Sequence, residues 1–214
     1  MKAIILAGKG AKQLPRKARF QTSLGWIVNS FEKANIKDIN IVGGNKIENL
    51  ALKSKNVKII FNSEWERTGP LESLLMYKDI LLKSDVIISF GDVVYNSSFI
   101  TNFVKNLDKS MINILTDETW KTRFNRDKRS IAKAEKIVVG DNGNVICASR
   151  DLHSSSAISG EYTGVCFINK EFSKEVISSI NYLLKSKKSK GKYPIGFMDL
   201  FSEILKTNIK IKNH

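Results

Sequence analysis

Short apolar runs alternate with amphipathic stretches over the first 120 residues. Runs of five or six apolar residues are typical of strands buried on both faces, and apolar residues three or four apart are typical of helices. The predicted strands are residues 2–7, 38–43, 57–61, 86–90 and 112–116. The predicted helices are residues 24–34, 47–53, 69–82 and 99–107. This order predicts an α/β fold with a doubly wound, mainly parallel sheet and right-handed crossovers.

The pattern changes after residue 120. Residues 122–136 are highly charged, and residues 136–147 contain two short apolar runs around Asp-Asn-Gly, which is a strong hairpin signal. A strand is predicted at 162–168, and helices at 171–184 and 198–205. We therefore expect a small antiparallel excursion near residues 136–168, followed by a helical end. Because no repeat or linker divides the sequence, residues 1–214 predict a single domain.

The net charge of +14 allows three interpretations: nucleic-acid binding, binding of small anions such as nucleotides, or solubility alone. Most lysines stand singly on predicted helix exteriors, and the one dense run, residues 185–192, predicts a solvated loop. Basic and aromatic residues do not alternate as they do in nucleic-acid-binding modules. We therefore expect no nucleic-acid partner, and the other two interpretations stay open.

Cysteine content and hydropathy indicate the compartment. Cys147 and Cys166 are too few for a disulfide framework, and His153 and His214 add too few further ligands for a zinc site. The longest apolar runs are too short for a membrane span, and the N-terminal run is too short for the core of a signal peptide. A cytoplasmic protein is expected, and a homodimer stays open as its oligomeric state.

The first predicted strand ends in Gly8-Lys9-Gly10-Ala11-Lys12. Two glycines one residue apart allow a sharp turn that exposes backbone N–H groups, and the two lysines add positive charge. This combination is suited to holding phosphates. The loop is neither a complete Walker motif nor a G-x-G-x-x-G fingerprint, so an ordinary strand-to-helix turn is the alternative.

Asp92 is the second chemical candidate, because it directly follows a predicted buried strand and a glycine. A carboxylate in this position can hold a divalent metal that bridges phosphates, whereas the alternative is a turn residue that caps the next helix. Asp117, after the next strand, is a similar case in more turn-like surroundings. Ligands of doubly wound sheets bind at the carboxyl ends of the strands, where both the glycine loop and Asp92 are expected.

At this point the sequence resembles a known family. Residues 1–12 resemble the opening of the nucleotidyltransferases, whose usual motif is Leu-Ala-Ala-Gly-x-Gly-x-Arg. The nearest branch comprises the cytidylyltransferases of phosphocholine and phosphonates, including the domain fused to phosphoenolpyruvate mutase. The matches to this branch are residues 62–74, 88–95, Trp120 with Arg126, 134–136 and 160–164. They keep the family order over nearly the whole chain, which implies a Rossmann-like, glycosyltransferase-A-like fold.

The resemblance implies a Mg²⁺-dependent attack of a phosphate or phosphonate oxygen on the α-phosphorus of CTP, with release of pyrophosphate. It implies catalytic roles for Lys12 and Asp92, with Asp92 as the metal ligand. The implied nucleotide-binding residues are Leu6, Ala7, Gly8, Lys9, Gly10, Thr68 and Ser73. The implied residues of the acceptor site are Trp120, Arg126 and Glu161.

The sequence also departs from the family pattern. One residue of Leu-Ala-Ala-Gly is absent, Lys12 stands where arginine is usual, and residues 20–23 occupy the region of a Pro-Lys pair for which Lys17 or Arg19 could substitute. The family's C-terminal Trp-x-Asp-x-Asp segment is not found before residue 214, so a domain that lacks this segment stays open. These departures leave open a truncated or catalytically degenerate relative, which binds nucleotide or a partner protein, or a metal site that is built differently. A sugar-1-phosphate nucleotidyltransferase is a separate alternative.

Overall fold

A computed structural model describes residues 1–8, 22–44, 47, 54–122, 131–152, 157–186 and 195–214. The strands in these ranges are β1 Lys2–Ala7, β2 Ile39–Gly43, β3 Val57–Phe61, β4 Val86–Phe90, β5 Ile112–Asp117, β6 Lys136–Val139, β7 Val145–Ser149, β8 Gly160–Ile168 and β9 Ile211–Asn213. The helices are α1 Ser23–Lys33, α2 Pro70–Leu75, α3 Lys78–Lys83, α4 Ser97–Lys105, α5 Ser173–Ser186 and α6 Phe197–Ile204. The helix predicted over 47–53 lies outside the described residues except for Ile47.

The strands form one sheet in the order β3-β2-β1-β4-β8-β5-β9. The first four strands in this order are parallel, and Leu6 of β1 lies opposite Val42 of β2 and Phe90 of β4. Five apolar residues in a row make β1 a strand buried on both faces. The predicted mainly parallel sheet, with residues 2–7 as a strand inside it, is confirmed.

The antiparallel part is present and reaches further into the sheet than expected. Strands β6 and β7 form the predicted hairpin, and Gly143 in its turn has a φ of +78°, which a residue without a side chain adopts readily. In addition, β8 lies between β4 and β5 and runs antiparallel to both. The strand β9, which the sequence pattern did not predict, pairs parallel with β5 at the far edge.

Successive residues of the central strands point to opposite faces, and each face packs against helices. Ile5 and Ile87 share one buried cluster with Phe31 of α1 and Phe103 of α4. Ile4 and Ile88 belong to the other cluster, which also contains residues of α2, α3, α5 and α6. The sheet is therefore covered on both faces, as the doubly wound prediction requires. None of the helices that the structure describes is long and apolar enough to cross a membrane.

The single helix predicted over 69–82 is interrupted at Met76 and Tyr77. The N–H groups of both residues donate to carbonyl oxygens three residues back, over 3.3 and 3.0 Å, which tightens the last turn of α2 and ends it. The hydroxyl of Tyr77 donates to the carbonyl oxygen of Ile41 in β2, 3.1 Å away. This buried contact between the connection and the sheet fixes the break, and helical periodicity alone did not reveal it.

Candidate functional site

A cleft of about 440 Å³ opens at the carboxyl ends of β1 and β4. Its lining comprises Leu6, Ala7, Gly8, Trp65, Thr68, Gly69, Pro70, Ser73, Phe90, Gly91 and Asp92. Six residues predicted to bind nucleotide or metal thus meet in one cavity, and their binding roles stay predictions. Lys9, Gly10 and Lys12, which come one, two and four positions after Gly8, lie outside the described residues.

Gly91 joins the ends of the two strands below the cleft. Its N–H donates to the carbonyl oxygen of Leu6 over 2.8 Å. A Cβ atom at Gly91 would lie 2.7 Å from Cβ and 3.0 Å from Cα of Ala7, closer than carbon atoms pack. The buried hydroxyl of Ser23, the first residue of α1, donates to the carbonyl oxygen of Gly91 over 2.7 Å. Glycine therefore allows β1, β4 and the start of α1 to meet below the cleft.

Asp92 is exposed in the wall of this cleft. It does not cap α4, because the capping residue is Asn96, whose side-chain oxygen accepts from the N–H of Ser98 over 3.1 Å. Asp117 differs, since its Oδ1 accepts from the N–H and the hydroxyl of Thr119 over 2.8 and 2.7 Å. Asp117 thus stabilises the turn that follows β5, and the capping of α4 that was the alternative for Asp92 is excluded.

Asn62 fixes the part of the cleft wall that carries Thr68 and Ser73. Its buried side-chain amide donates to the hydroxyls of Thr68 and Ser73 over 2.8 and 3.4 Å, and its oxygen accepts from the N–H of Glu64 over 3.0 Å. These bonds connect the end of β3, the loop after it and the first turns of α2. Asn62 belongs to residues 62–74, which resemble the cytidylyltransferase branch, but the sequence pattern assigned it no role. Its position directly after a strand and shortly before the Gly-Pro start of a helix could have indicated that it lies at the cleft.

Trp65 is a second residue of this wall that the sequence did not single out. A Cβ atom at Gly44 would lie only 1.9 Å from Cγ and 2.3 Å from Cβ of Trp65. The indole therefore lies directly on the backbone of Gly44, immediately after the carboxyl end of β2. It is half-buried there and lines the same cleft as Gly8 and Asp92.

A cluster of charged side chains lies close to the cleft. Glu135 and Arg150 form an ion pair, and the side chains are 17% and 19% exposed. Asp199 accepts from the N–H of Gly196 over 2.8 Å at the start of α6, and a Cβ atom at Gly196 would lie 3.0 Å from the Arg150 guanidinium. Burial raises the pKa of Glu135; Arg150 opposes this shift, and the negative charges of Asp199 and Asp92 reinforce it. The cluster thus couples electrostatically to the cleft.

The described residues that were predicted to bind the acceptor do not line the cleft. Trp120 is 2% exposed and packs with Ala134 and Ile158 in a small separate cluster. Glu161 lies in β8, opposite Asp117. In the described ranges neither Trp120 nor Glu161 belongs to the lining of the cleft, and Arg126 lies outside those ranges. A role at the acceptor remains a prediction for all three.

The donor set at the cleft fits a metal bound together with a nucleotide. Among the residues that the structure describes, no group of three or more histidine, cysteine, aspartate or glutamate side chains is arranged to hold a metal alone. Mg²⁺ takes hard oxygen ligands, keeps several waters and is often held by one or two carboxylates plus substrate phosphates. The exposed carboxylate of Asp92 is suited to such shared coordination.

No family model matches the sequence, but similar proteins are known. The chain is 25% identical over 197 residues to a CTP:phosphoglutamine cytidylyltransferase from Campylobacter jejuni, covering 83% of this chain and 77% of that protein. The structure superimposes on an inositol-1-phosphate CTP transferase from T. maritima with a TM-score of 0.70 and 18% identity, covering 99% of this chain and 84% of the other.

A second solved structure, a CTP:phosphocholine cytidylyltransferase from Streptococcus pneumoniae, matches with a TM-score of 0.65 and 17% identity. The superposition covers 100% of this chain and 89% of the S. pneumoniae chain. At these identities the structural likeness establishes the fold. By both lines of similarity this chain resembles proteins named as CTP-using transferases, one of them similar in sequence and two of them similar in structure.

Proposed function

We propose that this chain transfers a cytidylyl group from CTP to the phosphate or phosphonate of a small acceptor and releases pyrophosphate. The observation that carries the proposal is the meeting of Gly8 and Asp92 in one cleft, at the carboxyl ends of two adjacent parallel strands. The similar proteins support CTP as the donor, since each is named for it. Their acceptors differ but share a phosphate, so the acceptor proposed here is defined by that group.

The chemical step is an in-line displacement at phosphorus. An oxygen of the acceptor phosphate attacks the α-phosphorus of CTP and forms a new P–O bond. The bond between the α-phosphorus and the oxygen bridging to the β-phosphorus breaks, and its electron pair leaves with pyrophosphate. The protein contributes mainly by positioning the two anionic reactants and by stabilising negative charge.

Each side of the cleft has a distinct role in this proposal. Backbone N–H groups from Gly8 onward, together with Lys9 and Lys12, hold the triphosphate. Asp92 would hold Mg²⁺, whose charge would offset that of the phosphates. Thr68 and Ser73, fixed by the Asn62 amide, contact the nucleotide from the opposite wall.

Trp120, Arg126 and Glu161 are proposed to serve the acceptor, with Arg126 attracting its phosphate. Because Trp120 is buried with Ala134 and Ile158, we propose that it supports the acceptor-binding residues by packing and does not itself contact the acceptor.

Release of pyrophosphate from purified protein with Mg²⁺ tests the proposal. The four nucleoside triphosphates are crossed with phosphocholine, phosphoglutamine, aminoethylphosphonate, inositol 1-phosphate and glucose 1-phosphate. We expect turnover with CTP and at least one of the first four acceptors. Asp92→Asn keeps the shape and removes the charge, and should lower kcat by roughly 100- to 1000-fold. Asp117→Asn, a carboxylate replaced at the end of another strand, should stay within about twofold.

The other outcomes identify the alternatives. Turnover confined to a different nucleotide with glucose 1-phosphate would indicate a sugar-1-phosphate nucleotidyltransferase. A rise in Tm with CTP and Mg²⁺ but no turnover would indicate a degenerate relative that still binds nucleotide, because a ligand of the folded state stabilises it by mass action. Full activity of Asp92→Asn would refute the metal assignment.

A further inference from the structure

The sheet arranges three features of the cleft in a fixed order. Trp65 lies over Gly44 after the end of β2, Gly8 follows the end of β1, and Asp92 follows β4. Since β1 lies between β2 and β4, the indole and the carboxylate are on opposite sides of Gly8. Adjacent strands are about 4.8 Å apart, so β2 and β4 are separated by roughly 10 Å.

A nucleotide has a matching polarity, with phosphates at one end and a flat aromatic base at the other. In the proposed function the phosphates lie between Gly8 and Asp92. The rest of the nucleotide then extends either toward β2 and Trp65 or away from the sheet. Along the β2 side the cleft offers a half-buried indole whose position is set by the backbone beneath it.

We propose that Trp65 is the stacking platform for the nucleobase, an inference that rests on the proposed nucleotide-binding function. The indole cannot move closer to the sheet, because Gly44 is in direct contact with it. The loop that carries the indole is held by a hydrogen bond from the N–H of Trp65 to the carbonyl oxygen of Asn62 over 3.3 Å. An aromatic surface held in this way loses little conformational freedom when a second ring stacks on it. Stacking tolerates any base, so Trp65 supplies affinity and other groups select the base.

Tryptophan fluorescence reports this contact directly. Two of the three tryptophans have other environments: the Trp26 indole N–H donates to the carbonyl oxygen of Tyr95 over 2.6 Å, and Trp120 is buried in its own cluster. We expect CMP to quench fluorescence in the wild type and in Trp26→Phe. Ribose 5-phosphate and inorganic triphosphate, which lack a base, should quench neither. Trp65→Phe should lose the CMP-dependent quenching.

Kinetics separate stacking from a packing role. Trp65→Ala should raise KM for CTP by roughly 5- to 150-fold, the range that one base–aromatic stack supplies, with a smaller effect on kcat. Trp65→Phe, which keeps a ring, should recover most of the affinity. The inhibition constant of inorganic triphosphate should be unchanged in both variants, since that ligand has no base to stack.

Three results would overturn the inference: no quenching of the wild type by CMP, equal loss of CTP and inorganic triphosphate binding in Trp65→Ala, or an unchanged KM in that variant. Quenching by CMP without turnover for any acceptor would refute the proposed activity and support the stacking site. Turnover without quenching would do the reverse, so the two proposals fail separately.

Discussion

Replacing Gly91 by alanine tests whether the close approach of β1 and β4 builds the cleft. The added Cβ would lie 2.7 Å from Cβ of Ala7, 3.0 Å from Cα of Ala7 and 3.2 Å from the carbonyl oxygen of Leu6. Carbon atoms pack at about 3.5–4.0 Å, so the overlap is close to 1 Å. Two of these three contacts are with backbone atoms, which no rotamer change can move aside. The strand ends must therefore separate.

The expected cost combines two effects. Overpacking of this kind destabilises proteins by about 1–3 kcal/mol. Weakening of the 2.8 Å hydrogen bond from the N–H of Gly91 to Leu6 adds about 0.5–1.5 kcal/mol. The free energy of unfolding should therefore fall by about 2–4 kcal/mol. For a chain of this size each kcal/mol lowers Tm by about 2–4 °C, which gives a shift of about 4–16 °C.

Thermal unfolding followed by circular dichroism measures this shift, with Gly140→Ala as the control. At Gly140 the nearest atom to an added Cβ is Cγ2 of Ile146 at 3.2 Å, and that side chain is exposed and can rotate. The control should stay within about 0.5 kcal/mol of the wild type. Gly91→Ala should also reduce the rise in Tm on adding CTP and Mg²⁺, because Asp92 moves with it. Equal Tm values for the two variants would refute the reasoning.

Two further variants test the surroundings of the cleft. Arg150→Met leaves Glu135 buried without this guanidinium and should lower the free energy of unfolding by about 3 kcal/mol near neutral pH. Burial raises the pKa of Glu135, so the folded state favours its protonated form. The loss of unfolding free energy in Arg150→Met, measured by urea titration, should therefore shrink as the pH falls from 8 toward 5 and vanish below the unfolded pKa of about 4.3. A loss that is independent of pH would contradict this. Asn62→Ala removes the amide that holds two hydroxyls of the cleft wall and should cost about 1–3 kcal/mol while raising KM for CTP. An unaltered KM would show that this wall does not contact the nucleotide.

The sequence predicted the parallel half of the fold because its strands are short, mostly apolar and each followed by a turn or a glycine. Local pattern was sufficient there, and the same pattern brought Gly8 and Asp92 to one edge of the sheet. It could not show where β8 pairs, since the position of a strand in a sheet depends on contacts between distant residues. The insertion of β8 between β4 and β5 has no local signal.

The site was predicted in part for a similar reason. Gly8 and Asp92 were predicted from local motifs and Thr68 from the family resemblance, and all three line the cleft. Trp65 and Asn62 reach the cleft wall through contacts with other elements. The position of Trp65 depends on Gly44, which lies 21 positions earlier and comes under the indole only in the folded chain. The ion pair of Glu135 and Arg150 similarly joins residues on either side of a hairpin.

The placement of β8 sets an order for folding during synthesis. The strands β1 to β4 are complete by residue 90, and they can pair as soon as they leave the ribosome. The free edge of β4, however, stays unpaired until β8, which begins at Gly160, has been synthesised. At about 5–20 residues per second, the roughly 70 residues between them take about 4–14 s to make. During that time β4 presents an apolar, unpaired edge, which is a hazard for aggregation. Fragments that stop before residue 160 should therefore be the species that depend most on chaperones.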